Sequence, residues 1–344
     1  MTAAPSLDHP DTAHAPGVSP DPIMRIASGF MSAKHLFAAN ELGLFEALGD
    51  SPATLEALAA RTGLTPRAAR ISADAMVALG LLERDGDTYR NSEAAAAYLT
   101  GATPADLRPF LRFWDRLSYP TWTGLADALA SGPSREMTEM AELSEELQRI
   151  ASEGIDAVLS GPSRALAASV DFSSHQRLVD VGGGTGSWTI AIAERHPHLQ
   201  ATVLDLPSVV PFARQRIERA ALSSRITAEA ADVMVGDLAE EYDVFLVANL
   251  VHYWTPEDNR ALLSRLRRAA SPGARLLLAD FWTNPTHTEP VHAALMAGEF
   301  AVHVRDGDVY SVDEIRSWLP ETGWRFVDHA PLAGPQSLIV AEAV

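Results

Sequence analysis

Residues 178–186, which read Leu-Val-Asp-Val-Gly-Gly-Gly-Thr-Gly, decide the fold of this chain. An apolar run breaks here into a cluster of glycines, and the pattern that follows predicts an amphipathic helix from Trp188 to Arg195. A strand, a tight turn and a helix therefore follow one another within about twenty residues. This arrangement lets backbone N–H groups at the turn approach a nucleotide-type ligand closely.

The spacing of the glycines indicates which ligand to expect. A dinucleotide fingerprint places its third glycine three residues after the second, and counting from Gly182 and Gly184 that position is Ser187. Asp180 is followed instead by the alternating set Gly182, Gly184 and Gly186. This acidic-x-Gly-x-Gly-x-Gly pattern resembles that of the S-adenosylmethionine-dependent methyltransferases. The resemblance implies that Asp180 and the three glycines bind the cofactor.

The next predicted strand ends in a second carboxylate. Residues 201–204 are mostly apolar and lead into Asp205, roughly 20 residues beyond the turn, where a carboxylate can accept hydrogen bonds from both ribose hydroxyls. Leu206 and Pro207 follow, and the Asp-Leu-Pro triplet is typical of small-molecule O-methyltransferases. We therefore expect Asp205 and Leu206 to bind the cofactor.

The third predicted strand, residues 225–231, delivers Asp232 with Val233 and Met234 behind it. The resemblance implies that this carboxylate meets the adenine amino group and that the apolar pair packs on the ring. It also adds Asn249 to the cofactor-binding residues. Asp205 or Asp232 alone could be a solvated carboxylate that ends a strand. Acidic residues at three successive strand ends around one glycine turn argue against that alternative.

Composition limits the class of partner. The 344 residues are enough for a substantial core and for two domains. The sequence contains no cysteine, which excludes disulfides, thiolate metal sites and cysteine nucleophiles. A net charge of -18 argues against nucleic acid or an anionic membrane as the partner, because phosphate binding needs clustered Lys and Arg.

The N-terminal sequence predicts neither an anchor nor a signal peptide. Residues 1–22 are rich in Ala, Pro and Asp, and we interpret them as a flexible tail. The basic start and apolar core of a signal peptide are missing there, and no stretch reaches the roughly 18 apolar residues of a membrane span. We expect a cytoplasmic protein.

Residues 23–103 predict a helical domain with a wing. Helices are expected over residues 26–48, 54–61 and from Pro66 to near Leu81, followed by a hairpin over residues 82–91. Three helices and a wing form a winged-helix module, which raises the possibility of DNA binding. The helix after the turn offers only Arg67 and Arg70 as cations on an acidic chain, which disfavours DNA recognition.

The same region carries a family resemblance. Residues 37–48 read Phe-Ala-Ala-Asn-Glu-Leu-Gly-Leu-Phe-Glu-Ala-Leu and resemble the opening helix of plant and bacterial O-methyltransferases of the caffeic acid and hydroxyindole type. In that family a winged-helix module pairs two subunits and helps to wall the substrate pocket. The resemblance therefore implies a homodimer formed through residues 23–103.

Residues 104–170 are predicted to be mostly helical and to supply substrate-pocket helices. Their aromatic side chains, among them Trp114 and Tyr119, could line the acceptor pocket or belong to the core. From residue 171 to residue 344 strands and helices alternate, and the last two strands suggest a closing hairpin. We predict an α/β fold with a Rossmann-like class I methyltransferase sheet, parallel with one antiparallel closing strand.

The candidate catalytic residues lie at the ends of the fourth and fifth predicted strands. His252 follows the fourth strand and Asp280 ends the fifth, so adjacent strand ends bring them within reach. In the resembling family the segment reads His-Asp-Trp, and its histidine removes the acceptor hydroxyl proton. Here Tyr253 replaces the aspartate. The resemblance implies that Asp280 orients His252, while capping of the strand-to-helix turn is the structural alternative for this histidine.

Two further positions depart from the family pattern. The second family carboxylate aligns with Val309, although Asp308 is adjacent, and a basic residue often found before the histidine is Ala248 here. The sequence therefore leaves open which carboxylate besides Asp280 assists His252, and the local charge differs from that of the family.

The helix predicted over residues 292–303 corresponds to the family's helix over the acceptor pocket. It makes four residues candidates for substrate contact: His292, Leu295, Met296 and Phe300. Simple packing is the alternative for Met296. His292 and Glu299 lie two helical turns apart, roughly 10 Å along the axis, too far to share an ion. We expect no metal.

Three functions and one non-enzymatic alternative follow from the sequence. The first is methyl transfer from S-adenosylmethionine to a hydroxyl of an aromatic or polycyclic small molecule, with His252 as general base and S-adenosylhomocysteine as product. The second is carbon methylation of a tetrapyrrole or polyketide, since the region from about Ala157 onward also resembles the methyltransferase that modifies a meso-carbon in bacteriochlorophyll biosynthesis. The third is the function of a non-methylating family member, which binds S-adenosylmethionine and uses its sulfonium charge only electrostatically. His252 and Asp280 count against a pure binding protein.

Overall fold

The computed structural model describes residues 18–132, 142–235, 238 and 242–344. The described residues form two compact units, one that ends at Ser92 and one that begins at Glu93. The predicted domain boundary at residue 103 lies later in the chain than the boundary between these units. Of the predicted tail, residues 1–17 lie outside the described residues. The first helix begins at Asp21, inside the predicted tail, because Asp21 and Arg25 place favourable charges at its two ends.

The first unit consists of helices around a small sheet. Its helices are α1 (Asp21–Ala27), α2 (Gly29–Glu41), α3 (Leu44–Leu48), α4 (Leu55–Thr62) and α5 (Pro66–Ala78), and its strands are β1 (Ala53–Thr54), β2 (Leu82–Asp85) and β3 (Thr88–Asn91). The Thr65 side chain caps α5 by accepting a hydrogen bond from Ala68 N–H. β2 and β3 pair antiparallel, which is the predicted hairpin.

The second unit begins with helices that precede its sheet. They are α6 (Glu93–Tyr98), α7 (Arg108–Phe113), α8 (Tyr119–Trp122), α9 (Leu125–Ser131) and α10 (Glu145–Ser169), with a π-helical turn at Trp114–Ser118. Gly154 on α10 lets this helix pack closely on α7, because a Cβ at that position would lie 2.3 Å from the Cβ of Phe113.

A large sheet follows, with helices between its strands. The strands are β4 (Arg177–Val181), β5 (Gln200–Asp205), β6 (Ile226–Ala230), β7 (Tyr242–Ala248), β8 (Ala270–Asp280), β9 (Trp324–Pro331) and β10 (Ser337–Ala343). The helices are α11 (Ser187–Arg195), α12 (Val210–Arg219), α13 (Pro256–Arg268), α14 (Val291–His303) and α15 (Val312–Glu321). The described strands run in the order β6-β5-β4-β7-β8-β10-β9.

The pairing of these strands confirms the predicted fold class. β4 pairs parallel with β5 and β7, and β10 pairs antiparallel with β8 and β9. Ser-Pro-Gly at residues 271–273 predicts a break before the fifth strand by its composition, but β8 already begins at Ala270, and its pairing with β7 shifts register between Tyr242 and Val244. The irregular pairing lets the chain carry proline within the strand.

Apolar side chains cover both faces of the sheet. On one face the core includes Trp188, Val203 and Leu246, and on the other it includes Phe245, Trp318 and Trp324. In the described ranges no helix is both long and apolar enough to cross a membrane. The carboxyl ends of the parallel strands, where ligands bind in such sheets, carry the residues described next.

Candidate active site

The glycine turn between β4 and α11 adopts a backbone that favours glycine. Gly182, Gly184 and Gly186 have φ angles of 66°, 57° and 81°, a region that costs other residues steric strain. Position 182 favours glycine for a second reason, because a Cβ there would lie 2.7 Å from a methyl carbon of Leu250. The turn that follows β4 can therefore pack closely on Leu250, which lies just after β7.

Asp180 lies against this turn and is fully buried. Its Oδ2 accepts a hydrogen bond of 2.6 Å from the Thr189 hydroxyl, whereas its Oδ1 has no partner among the described residues. A Cβ on Gly183 would lie 2.6 Å from the Asp180 carboxyl carbon. Burial raises the pKa of Asp180 to about 7, and the charge of Asp205 adds to the increase. The carboxyl group supports the turn from within the protein.

Asp205 ends β5 and holds the same turn. Its Oδ2 accepts a 2.7 Å hydrogen bond from Gly184 N–H, and its Oδ1 accepts one of 2.7 Å from Leu206 N–H. Burial raises the pKa of Asp205, and these two N–H groups oppose the increase. Each carboxylate oxygen keeps a further lone pair for another donor.

The third predicted carboxylate is exposed. Asp232 follows β6, and its side chain accepts a 2.9 Å hydrogen bond from Met234 N–H. Val233 and Met234 are partly buried against the core, and the Val233 carbonyl accepts a 2.8 Å hydrogen bond from Arg265. Leu206 is 43% exposed at the end of β5. The carboxyl ends of β5 and β6 thus present acidic and apolar groups to solvent.

Asn249 follows β7 with a positive φ of 52°, which asparagine tolerates better than most residues. Its side-chain oxygen accepts a hydrogen bond from Gln336. Its buried Nδ2 has no partner in the described part of the chain. A buried donor without a partner is costly, so this amide is suited to an acceptor on a bound ligand.

His252 and Asp280 are in direct contact, as the sequence predicts for adjacent strand ends. The His252 Nδ1 lies 2.8 Å from Asp280 Oδ1 and 3.0 Å from Oδ2. Both residues are buried, and Asp280 Oδ1 also accepts a 2.8 Å hydrogen bond from Phe281 N–H. In this geometry a neutral His252 beside an ionised Asp280 would carry its proton on Nδ1 and leave Nε2 as the acceptor, because the carboxylate has no proton to donate.

Aromatic rings enclose the histidine. Phe300 on α14 stacks on the imidazole, with ring centroids 3.7 Å apart and planes inclined by 10°, and Tyr253 lies with its ring centroid 4.5 Å from that of His252. Burial and nearby carboxylates, that of Asp280 first, raise the pKa of Tyr253 to about 12. This phenol is therefore neutral at physiological pH.

The remaining predicted substrate residues lie in several environments. Met296 packs against the cluster that contains Phe300, and the His292 ring lies 5.8 Å from that of Phe281. Leu295 is 62% exposed. The Trp114 ring lies 4.5 Å from the Phe110 ring, with the ring planes inclined by 49°. Trp114 begins the π-helical turn, and Tyr119 directly follows it. The contacts that surround His252 come from Phe300 and Tyr253.

A partly buried carboxylate next to Phe300 was not assigned a role from the sequence. Glu299 accepts hydrogen bonds from the Ser118 hydroxyl at 2.8 Å and from the Trp122 ring N–H, and its other oxygen lies 3.2 Å from His303 Nε2. Burial alone would raise the pKa of Glu299, but the hydrogen bonds from His303, Ser118 and Trp122 outweigh it and lower the pKa. We call these four residues the Glu299 cluster; it joins α14 to the π-helical turn and α8.

Asp308 and Val309, the two positions related to the second family carboxylate, differ in exposure. Asp308 is exposed, and its contact with His252 is a 3.1 Å hydrogen bond from its backbone N–H to the His252 carbonyl. Val309 is buried next to it. Within residues 18–132, 142–235, 238 and 242–344, no group of three or more His, Asp or Glu side chains is placed to hold a metal ion.

Two family models match this chain. An O-methyltransferase domain matches residues 122–325, and an O-methyltransferase dimerisation domain matches residues 24–101. The tetracenomycin polyketide synthesis 8-O-methyl transferase TcmO of Streptomyces glaucescens is 30% identical over 96% of this chain and 98% of its own length. The 3-hydroxy-5-methyl-1-naphthoate 3-O-methyltransferase of Streptomyces sahachiroi is 34% identical over 90% of this chain and 91% of its own.

The fold also matches a solved structure over nearly its whole length. Human N-acetylserotonin methyltransferase in complex with S-adenosylmethionine has a TM-score of 0.83 and 25% identity, with coverage of 96% of this chain and 99% of that chain. The family models, the relatives and the glycine turn agree. This chain belongs to the family of S-adenosylmethionine-dependent O-methyltransferases.

Proposed function

We propose that this enzyme transfers a methyl group from S-adenosylmethionine to a hydroxyl of an aromatic or polycyclic small molecule, with His252 as general base. The observation that carries the proposal is the contact between His252 Nδ1 and Asp280, 2.8 Å long, at the carboxyl end of the sheet. This contact fixes the tautomer in which Nε2 can accept a proton. In the described part of the chain Nε2 has no hydrogen-bond partner that would compete with an acceptor hydroxyl.

The residues around the glycine turn fit the cofactor. Asp205 keeps free lone pairs for ribose hydroxyls beside Gly184 N–H. The buried Asn249 amide has an unused donor at the end of the neighbouring strand. Gly182 has no side chain where a Cβ would collide with Leu250. Asp232, with Val233 and Met234 behind it, would face the adenine.

The cofactor supplies a methyl group on a sulfonium, which is already a good leaving group. The protein has to position the acceptor, exclude water and remove one proton. The pKa values of a free phenol and a free imidazole differ by about 3.5 units. Transfer of the proton before methyl transfer would therefore cost about 5 kcal/mol. Proton transfer to His252 Nε2 during methyl transfer lowers this demand. Asp280 holds the ring and stabilises the imidazolium that forms.

The acceptor is an aromatic compound in this proposal because aromatic side chains surround the base. Phe300, Tyr253 and Phe281 form a connected group of rings around His252, which suits a flat apolar molecule with a hydroxyl at its edge. The relatives' names support this class, since they mention a polyketide and a naphthoate. Carbon methylation at an activated carbon is the second candidate, because the same Nε2 could accept a proton from carbon.

We also propose that the enzyme is a homodimer formed through its N-terminal domain. The dimerisation-domain match over residues 24–101 supports this. Several large apolar side chains of α1 and α2 are exposed in the single chain, among them Ile26 at 80% and Met31 at 54%. Exposed apolar side chains grouped on neighbouring elements are typical of a surface that another subunit covers.

The test is a methyl-transfer assay with S-adenosylmethionine against phenols, naphthols, hydroxylated polycyclic compounds and porphyrin-type acceptors. Mass spectrometry would detect the gain of one methyl group, and NMR of the product would locate it. A methyl ether supports the proposal, and a new carbon–methyl bond supports the second candidate. Consumption of an acceptor without methyl gain would instead support purely electrostatic use of the sulfonium.

A further inference from the structure

A second polar cluster contacts the glycine turn, away from His252. Asp156 on α10 accepts hydrogen bonds from the Ser187 hydroxyl at 2.8 Å and from the Thr185 hydroxyl at 3.1 Å. Arg216 on α12 contacts Asp156 through Nη1 and donates to Thr185 at 2.8 Å and to Ser187 at 2.7 Å. We call these four residues the turn latch.

The charged pair of the turn latch has reduced access to water. The Arg216 and Asp156 side chains are 27% and 25% exposed. Burial raises the pKa of Asp156, and the Arg216 charge and the Ser187 and Thr185 hydroxyls oppose that change. Ion pairs that are screened from water and also satisfied by hydroxyl donors hold their geometry better than pairs on an open surface.

The position of the latch relates it to the cofactor site. Thr185 lies between Gly184 and Gly186, and Ser187 is the first residue of α11. The N-cap of α11 is Gly186, which has no side chain to cap the helix. The Asp156–Arg216 pair instead holds the start of α11 from outside the helix, through the Thr185 and Ser187 hydroxyls.

A turn built from glycines loses much conformational freedom when it becomes ordered. If protein contacts order the turn before the cofactor arrives, binding has less entropy to lose and becomes tighter. Asp205 fixes Gly184 through its N–H group. The turn latch fixes the two residues on either side of Gly186, which Asp205 does not touch.

We propose that Asp156 is a positioning residue that, with Arg216, preorganises the glycine turn for the cofactor. The inference rests on the proposed use of this turn for S-adenosylmethionine, and it does not depend on His252. It gives α10, which precedes the sheet, a direct influence on cofactor affinity.

The experiment is a calorimetric titration of the full-length enzyme with S-adenosylhomocysteine, which needs no acceptor. Asp156→Ala is expected to weaken the Kd by about tenfold, the change that corresponds to one lost charge-assisted hydrogen bond. Asp156→Asn, which keeps an acceptor oxygen, should weaken it less, and Ser187→Ala provides a third variant with minimal structural change. Glu146→Gln is the matched control, because Glu146 is an exposed acidic residue in the first turn of the same helix.

Hydrogen exchange without cofactor distinguishes the proposed role of Asp156 from a purely structural one. Under the proposal, exchange in Asp156→Ala should be faster at residues 183–188, with little change in β7. Unchanged Kd and unchanged exchange at the turn, with only a lower Tm, would overturn the proposal. Failure of the wild-type enzyme to bind S-adenosylhomocysteine would instead contradict the proposed function, and the exchange experiment would still test the latch.

Discussion

The imidazole of His252 and the ring of Phe300 lie nearly parallel, with centroids 3.7 Å apart. The Asp280 carboxylate holds one edge of the same imidazole through Nδ1. One contact therefore fixes the plane of the histidine, and the other fixes its rotation within that plane. Together they leave Nε2 as the ring nitrogen that can meet the hydroxyl of a methyl-accepting substrate.

Replacing Phe300 tests whether the stacked ring positions the base. Phe300→Leu keeps an apolar side chain but removes the flat surface, so His252 gains freedom to tilt. We expect kcat to fall by about tenfold, because misplacement of a catalytic group is costly, while the Kd for S-adenosylhomocysteine stays unchanged. Phe326→Leu, at a ring that packs on Arg316, is the control. Equal kcat in the wild type and Phe300→Leu would contradict this role.

The Glu299 cluster gives a prediction for stability at low pH. The pKa of Glu299 is lowered from 4.5 in the folded chain, so its stabilising effect is complete above that value and is lost as pH falls through the lower folded pKa. Glu299→Gln should lower the free energy of unfolding by about 1–3 kcal/mol at pH 7 and by less at pH 3. Chemical denaturation of both proteins at several pH values measures this. A difference that does not depend on pH would show that the charge is not involved.

Asp180 gives the opposite pH dependence. Its pKa rises from 3.8 to about 7 on folding, so the folded state binds the proton more tightly and stability falls as pH rises from about 4 to about 7. The shift of about three units corresponds to an upper value of ~4 kcal/mol. Asp180→Asn keeps the bond from Thr189 and removes this ionisation. The variant should therefore become more stable relative to the wild type as pH rises from 5 to 8, and a constant difference would contradict the assignment.

The sequence predicts the parts of the site that depend on local pattern. The glycine spacing identifies the turn at residues 182–186, and the order of strands brings His252 to Asp280 because adjacent parallel strands end at the same edge. The closing hairpin is also predicted, since its two strands are separated by Ala-Gly-Pro. These inferences need only neighbours along the chain or neighbouring strands.

Contacts between distant elements could not be predicted in this way. Glu299 meets Ser118 across 181 residues, and no periodic pattern says which face of α14 meets the π-helical turn. Asp156 is one of 45 acidic residues, and its partner Arg216 lies on α12, beyond the next two strands. The stacking of Phe300 on His252 depends on how α14 packs, although the helix itself is predicted.

The most direct test of the account compares wild type and His252→Gln on naphthols whose hydroxyl pKa is varied with ring substituents. A general base matters most when the hydroxyl is protonated, so the variant should lose about 10²–10⁴ in kcat on an acceptor with pKa near 10. The loss should shrink to less than about tenfold for an acceptor already ionised at the assay pH, with the Kd for S-adenosylhomocysteine unchanged. A loss of the same size across the whole series would contradict the role of His252 as the base.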